Sequence, residues 1–66
     1  MRKYRIVFIN ELSDIKDILD FKSFDNESAM QFAMRVFKET NYKAMHVFER
    51  LGNGTLWNQI AFFERG

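Results

Sequence analysis

The chain has no cysteine and no proline, and its 66 residues include only three glycines and one histidine. Each scarcity removes a class of explanation. Without thiols there can be no disulfide framework, and a single imidazole cannot supply the four ligands of a structural zinc site. Ten basic residues against nine acidic ones leave a net charge of +1, which is neither the basic footprint of a nucleic-acid binder nor the cleft of a protein for acidic substrates. No stretch approaches the roughly 18 consecutive apolar residues of a membrane span. No charged start followed by an apolar run and a small-residue cleavage site suggests export. The expectation is one domain over 1–66, cytoplasmic, with no membrane contact, no metal and no cofactor.

A chain this short buries only about 60% of the surface that its unfolded form exposes. The usual supplements to so small a core are disulfides, a structural metal or oligomerisation. With the first two removed, self-association is the remedy that remains. The composition points the same way, because aromatic residues make up 17% of the chain.

The run 3–9 sets Tyr4, Ile6 and Phe8 against Arg5, Val7 and Ile9, an alternation that predicts a strand. Residues 10–14 have turn composition, and 15–24 can return as a second strand, because Leu19, Phe21 and Ser23 alternate with Asp20 and Lys22. A short helix capped by Ser13, with Ile15, Ile18 and Leu19 on one face, fits residues 13–22 as an alternative. Asp25 is a good N-cap preceded by an aromatic, Phe24. Beyond it Ala29, Phe32, Ala33, Val36 and Phe37 recur at helical spacing. Gln31, Arg35, Lys38 and Glu39 fill the opposite side, Met30 and Met34 flank the stripe as core filler, and Asn41 is a suitable terminator. Two further strands, 43–51 and 55–64, are joined by Gly52-Asn53-Gly54, whose residues tolerate the positive φ of a tight hairpin. The fold class expected is α+β: a four-stranded antiparallel sheet with one helix packed on one face, in the order β-β-α-β-β.

Geometry then turns composition into a prediction about contacts. A helix of about fifteen residues is roughly 22 Å long and about 10 Å across, whereas four strands make a sheet about 19 Å wide. One helix therefore covers about half of one face. A sheet with water on one side alternates apolar with polar residues, yet the strand 55–64 sets Leu56, Ile60 and Phe62 against Trp57, Ala61 and Phe63, so neither face is polar. The uncovered face is expected to be an interface, with Val7, Ile9, His46, Phe48, Trp57 and Phe63 in it. Edge-to-edge strand pairing is a second geometry for the same association.

No constellation carries reaction chemistry, and the chain is not expected to be an enzyme. His46 as a general base would need an orienting carboxylate, and Glu49 and Glu64 are its possible neighbours. Asp14, Asp17 and Asp20 recur every three residues without the alternate spacing or the glycine of a calcium loop, which reads as solvated charge. Gly52-Asn53-Gly54 lies between strands, not before a helix, so it is a turn and not a phosphate cradle. The serious alternative is single-stranded nucleic acid stacked on Trp57, Phe48, Phe63 and Tyr4, with Arg2, Lys3, Arg5, Arg50 and Arg65 as the positive charge. Dispersed charge argues against that partner, and large aromatics with arginine equally suit a protein–protein contact.

The hairpin–helix–hairpin order, carried by Tyr4, Ile6 and Phe8, by Phe21, by Asp25 through Ala33 and by the Gly52-Asn53-Gly54 turn, resembles small bacterial and phage domains of uncharacterised function. It also resembles phage-encoded proteins that bind and block a host enzyme or defence complex. The resemblance implies a small regulator or inhibitor whose partners are a second copy of itself and a larger host protein.

Overall fold

The computed structural model describes residues 1–10 and 15–66. Its elements are β1 (Arg2–Ile9), β2 (Ile15–Ser23), α1 (Asn26–Lys38), β3 (Ala44–Leu51) and β4 (Leu56–Glu64). The four strands form one antiparallel sheet in the order β2-β1-β3-β4. The segment after residue 14 is therefore a strand. The turn expected over 10–14, with Ser13 as a possible helix cap, lies outside the described residues except for Asn10. Because β1 separates β2 from β3, the chain crosses it through α1 on its way from one hairpin to the other.

The alternation of β1 decides where the helix sits. Tyr4 and Ile6 are fully buried and Phe8 nearly so, and on β3 Met45 and Val47 are equally inaccessible. The registers Ile6↔Leu19 and Ile6↔Val47 carry the same face into the neighbouring strands. Onto this face α1 presents Ala29, Ala33 and Phe37. Alanine at both of the first two positions lets the helix backbone approach the sheet closely, and Phe37 joins Ile6, Phe8, Met45 and Val47 in the core. Phe32 closes one flank by packing on Phe21 at 4.6 Å, and Tyr42 closes the far end over Phe8, also at 4.6 Å.

Both ends of α1 are capped by identifiable groups. At the start the Asp25 carboxylate accepts the Ser28 amide at 2.8 Å, satisfying one of the donors that a first turn leaves open. That bond holds the Asp25 carboxyl below its ordinary range. The buried Tyr4 hydroxyl donates to Asn26 Oδ1 at 2.8 Å and so ties the first turn to the central strand. The preceding aromatic does not complete a staple, since Phe24 is 78% exposed.

The other end departs from expectation. The helix stops at Lys38 with Glu39 as its cap, before Asn41, and the terminating group comes from β4's far end. Arg65 Nη2 donates to the carbonyls of Phe37 at 2.6 Å and Thr40 at 2.8 Å, Nε donates to that of Tyr42 at 3.0 Å, and the guanidinium lies 4.3 Å over the Phe37 ring. A cation on the last carbonyls of a helix both satisfies them and opposes the macrodipole.

The β3–β4 hairpin turns through 52–55 with Gly52 at φ +60°, a left-handed value that a side chain would strain. The Arg50 guanidinium donates across the turn to the carbonyls of Gly54 and Asn53. Along the hairpin the register slips between Val47 and Phe48: Val47 pairs with Ala61 and Phe48 with Gln59, leaving Ile60 as an inserted residue. Such a bulge reverses the facing of everything beyond it.

Candidate interaction surface

The face away from α1 is built by the opposite set of side chains: Arg5, Val7 and Ile9 from β1, Ile18 and Asp20 from β2, His46, Phe48 and Arg50 from β3, Trp57, Gln59 and Phe62 from β4. Five of the six residues expected at an interface therefore share this face. Phe63 does not. The bulge at Ile60 places Trp57 and Phe62 on the open face, whereas Ala61 and Phe63 pack against the core on the helix side. Uninterrupted alternation, which had grouped Trp57 with Phe63, fails at this one inserted residue. Phe62, not singled out for the interface from sequence, is 48% exposed there, and Ile18 is 49% exposed on β2.

The centre of the face is organised by ring contacts. The His46 imidazole lies 4.7 Å from the Phe62 ring and 6.1 Å from the Phe48 ring. Gln59 Nε2 lies 2.8 Å from His46 Nδ1; with the amide as donor, Nδ1 is the acceptor and the neutral ring carries its proton on Nε2. Glu49, one of the two carboxylates considered as an orienting partner for His46, lies on the helix side, where it pairs with Arg2 at 3.2 Å. The geometry positions His46 as an aromatic, hydrogen-bonded surface residue.

Among the described residues the open face carries one acid–base pair, Arg5 with Asp20, beside the cations Lys3, Lys22 and Arg50. Arg5 makes a two-pronged contact with Asp20, Nε to Oδ1 at 2.7 Å and Nη2 to Oδ2 at 2.9 Å. The bond from Arg5 holds the Asp20 carboxyl below its ordinary range. The same guanidinium lies 4.5 Å over the Trp57 ring, a cation–π contact. Next to this cluster a hollow of about 210 Å³ opens between Arg5, Asp20, Lys22 and Trp57, smaller than the roughly 300–1,000 Å³ of a typical small-molecule pocket.

The other positions weighed from sequence are distributed differently. Tyr4 is wholly buried on the helix side, so only Trp57 and Phe48 of the four aromatics considered for base stacking line the open sheet. Of the five cations set beside them, Arg2, Arg5, Arg50 and Arg65 are committed to Glu49, Asp20, the hairpin carbonyls and the helix end. Asp17 pairs with Phe8 in register and takes the Tyr42 hydroxyl at 3.3 Å, whereas Asp20 faces the other way to Arg5. Among the described residues no three of His, Cys, Asp and Glu converge on a point that could hold a metal ion. Among the same residues no helix is long and apolar enough to cross a membrane. No protein-family model, no curated protein and no solved structure matches the chain.

Proposed function

We propose that the protein is a non-catalytic interaction module that self-associates through the open face of its sheet. The observation that carries this reading is an open sheet face on a single-helix fold, with Phe62 and Ile18 about half exposed on it. The ion pair that it carries among the described residues, Arg5 with Asp20, is satisfied within the monomer. The projected face is about 19 Å by roughly 26 Å for strands of eight or nine residues. Two such faces together bring about 1,000 Å² into contact, the lower bound for a specific interface. A second copy fits it because an isologous contact requires no charge of opposite sign, only a face that can pack on itself. In this reading the chain acts as a small regulator by binding, and the larger host protein implied by its resemblance to phage-encoded blockers is its further partner.

Size-exclusion chromatography with light scattering tests the reading. The expected result is a dimer at micromolar concentration that Phe62→Lys converts to a folded monomer, with a circular-dichroism spectrum unchanged. A strict monomer across the concentration range, or a dimer indifferent to Phe62→Lys and Trp57→Ala, overturns it.

A further inference from the structure

A second stripe of partly exposed apolar surface runs along α1 on the flank opposite Phe32. Glu27, Met30, Gln31, Met34, Arg35 and Lys38 line a shallow groove of about 750 Å³. Met30 and Met34 form its half-buried floor, and Met34 also touches the core. The charges at its rim are unspent. Arg35 is the one arginine of five with no ion pair, hydrogen bond or ring contact among the described residues, and Glu27 and Lys38 are likewise without such a partner.

The order of these residues is self-complementary. The acidic one lies in the first turn of the helix, the basic ones in the last, and the methionines lie between. An antiparallel copy of the helix, related by a two-fold axis at the level of Phe32 and Ala33, brings Glu27 opposite Lys38 of the second copy. Met30 then meets the aliphatic stem of Arg35, and Gln31 meets Met34. Every pair occurs twice by symmetry. The antiparallel arrangement also sets the two helix dipoles head to tail, and long basic stems cover methionine while their charged ends stay in water. A parallel pairing has none of these advantages, because it opposes like charges at both ends.

We infer that this flank of α1 is a second self-association surface, where two copies pack their helices antiparallel through Met30 and Met34 and are held in register by reciprocal Glu27–Lys38 pairs. The surface is separate from the open sheet face and does not depend on it. A helix of 13 residues offers a contact about 20 Å long and roughly 10 Å wide, below the size of a stable interface. The association is therefore weak. In a protein that also pairs through its sheets, this contact joins dimers to one another.

The test uses the full chain carrying Phe62→Lys, so that the sheet face is closed to association, in sedimentation equilibrium up to millimolar concentration. The expected result is a weak dimer. Glu27→Lys or Lys38→Glu alone is expected to weaken it about tenfold, since each replaces two attractive contacts with two repulsive ones. Mixing the two single variants restores association as a heterodimer, and so does the double variant Glu27→Lys/Lys38→Glu as a homodimer, although its reversed charges oppose the helix dipole. A strict monomer in the Phe62→Lys background overturns the inference, as do single variants that associate like their parent or a mixture that fails to recover. If wild type and Phe62→Lys associate equally while the charge variants behave as described, the sheet-face reading falls and this one stands.

Discussion

The two faces of this sheet both carry large apolar side chains and have different fates. On the helix side Ile6, Met45 and Val47 are fully excluded from water, and the alanines of α1 bring a second layer down on them. On the open side Phe48 and Phe62 lie against the His46 ring, Gln59 bonds to that ring, and Trp57 lies under the guanidinium of the Arg5–Asp20 pair. On the proposed reading, the difference separates stability from association. Burial against α1 holds the monomer together, while in the proposed function the open face serves association.

The largest expected effect breaks the comparison on its stable side. Met45→Ala should cost about 3 kcal/mol of folding free energy by removing a fully buried side chain at the centre of the core, measured by urea denaturation of a sheet-face monomer. The matched change on the other face, Phe62→Ala, should leave the monomer's stability within about 0.5 kcal/mol. Equal losses at the two positions would erase the distinction. Next in size is Arg65→Met, expected to cost about 2 kcal/mol, because it leaves the carbonyls of Phe37 and Thr40 without their charged donor. Most of that cost should appear as lost helix signal.

Smaller effects come from titration, and they place ionisable groups on each side of the comparison. Asp25 at the helix start is held below its ordinary range by the Ser28 amide, and Asp20 on the open face is held below it by Arg5. A carboxyl depressed in the folded state contributes stability that is present above its unfolded value and is lost as pH falls through the folded one. Thermal stability should therefore decline on acidification below the ordinary carboxylate range. Asp25→Asn, which keeps the capping acceptor, and Asp20→Asn should each flatten part of that decline. Tyr4 works at the opposite limit. Burial raises its hydroxyl above the usual tyrosine value, so its contribution is complete below that value and disappears as pH rises through the folded one. Tyr4→Phe should remove this alkaline dependence, at the expense of the bond to Asn26. If acid and base profiles are unchanged in all three variants, these groups do not couple ionisation to folding.

Much of the architecture was legible because local rules and tertiary packing agree. Alternation in β1, the Gly52-Asn53-Gly54 turn and the Asp25 cap each specify structure within a few residues, and each lies where it was expected. The strand order was not legible, since nothing local says that β1 lies between β2 and β3. The site was legible to the extent that the alternation rule held. It placed Val7, Ile9, His46 and Phe48 together, and Trp57 with them, but it misplaced Phe63 because one inserted residue, Ile60, exchanges the faces of the strand on either side of it. Arg65 was misread for a different reason. Its partners lie 28 and 25 positions away, and a cation at that distance from a helix looks like surface charge until the fold closes.

That closure has a kinetic side. Strand β4 is joined to the sheet along β3 alone, and Arg65, just past its end, fastens it to the last turn of α1. When β4 peels away, the helix loses its cap in the same event. The two segments should therefore share one opening reaction. In hydrogen exchange the amides of β4 and those of Glu39 and Thr40 are expected to lose protection together and early, while those of β1, flanked by strands on both edges, persist to global unfolding. In Arg65→Met the two groups of amides should exchange at separate rates.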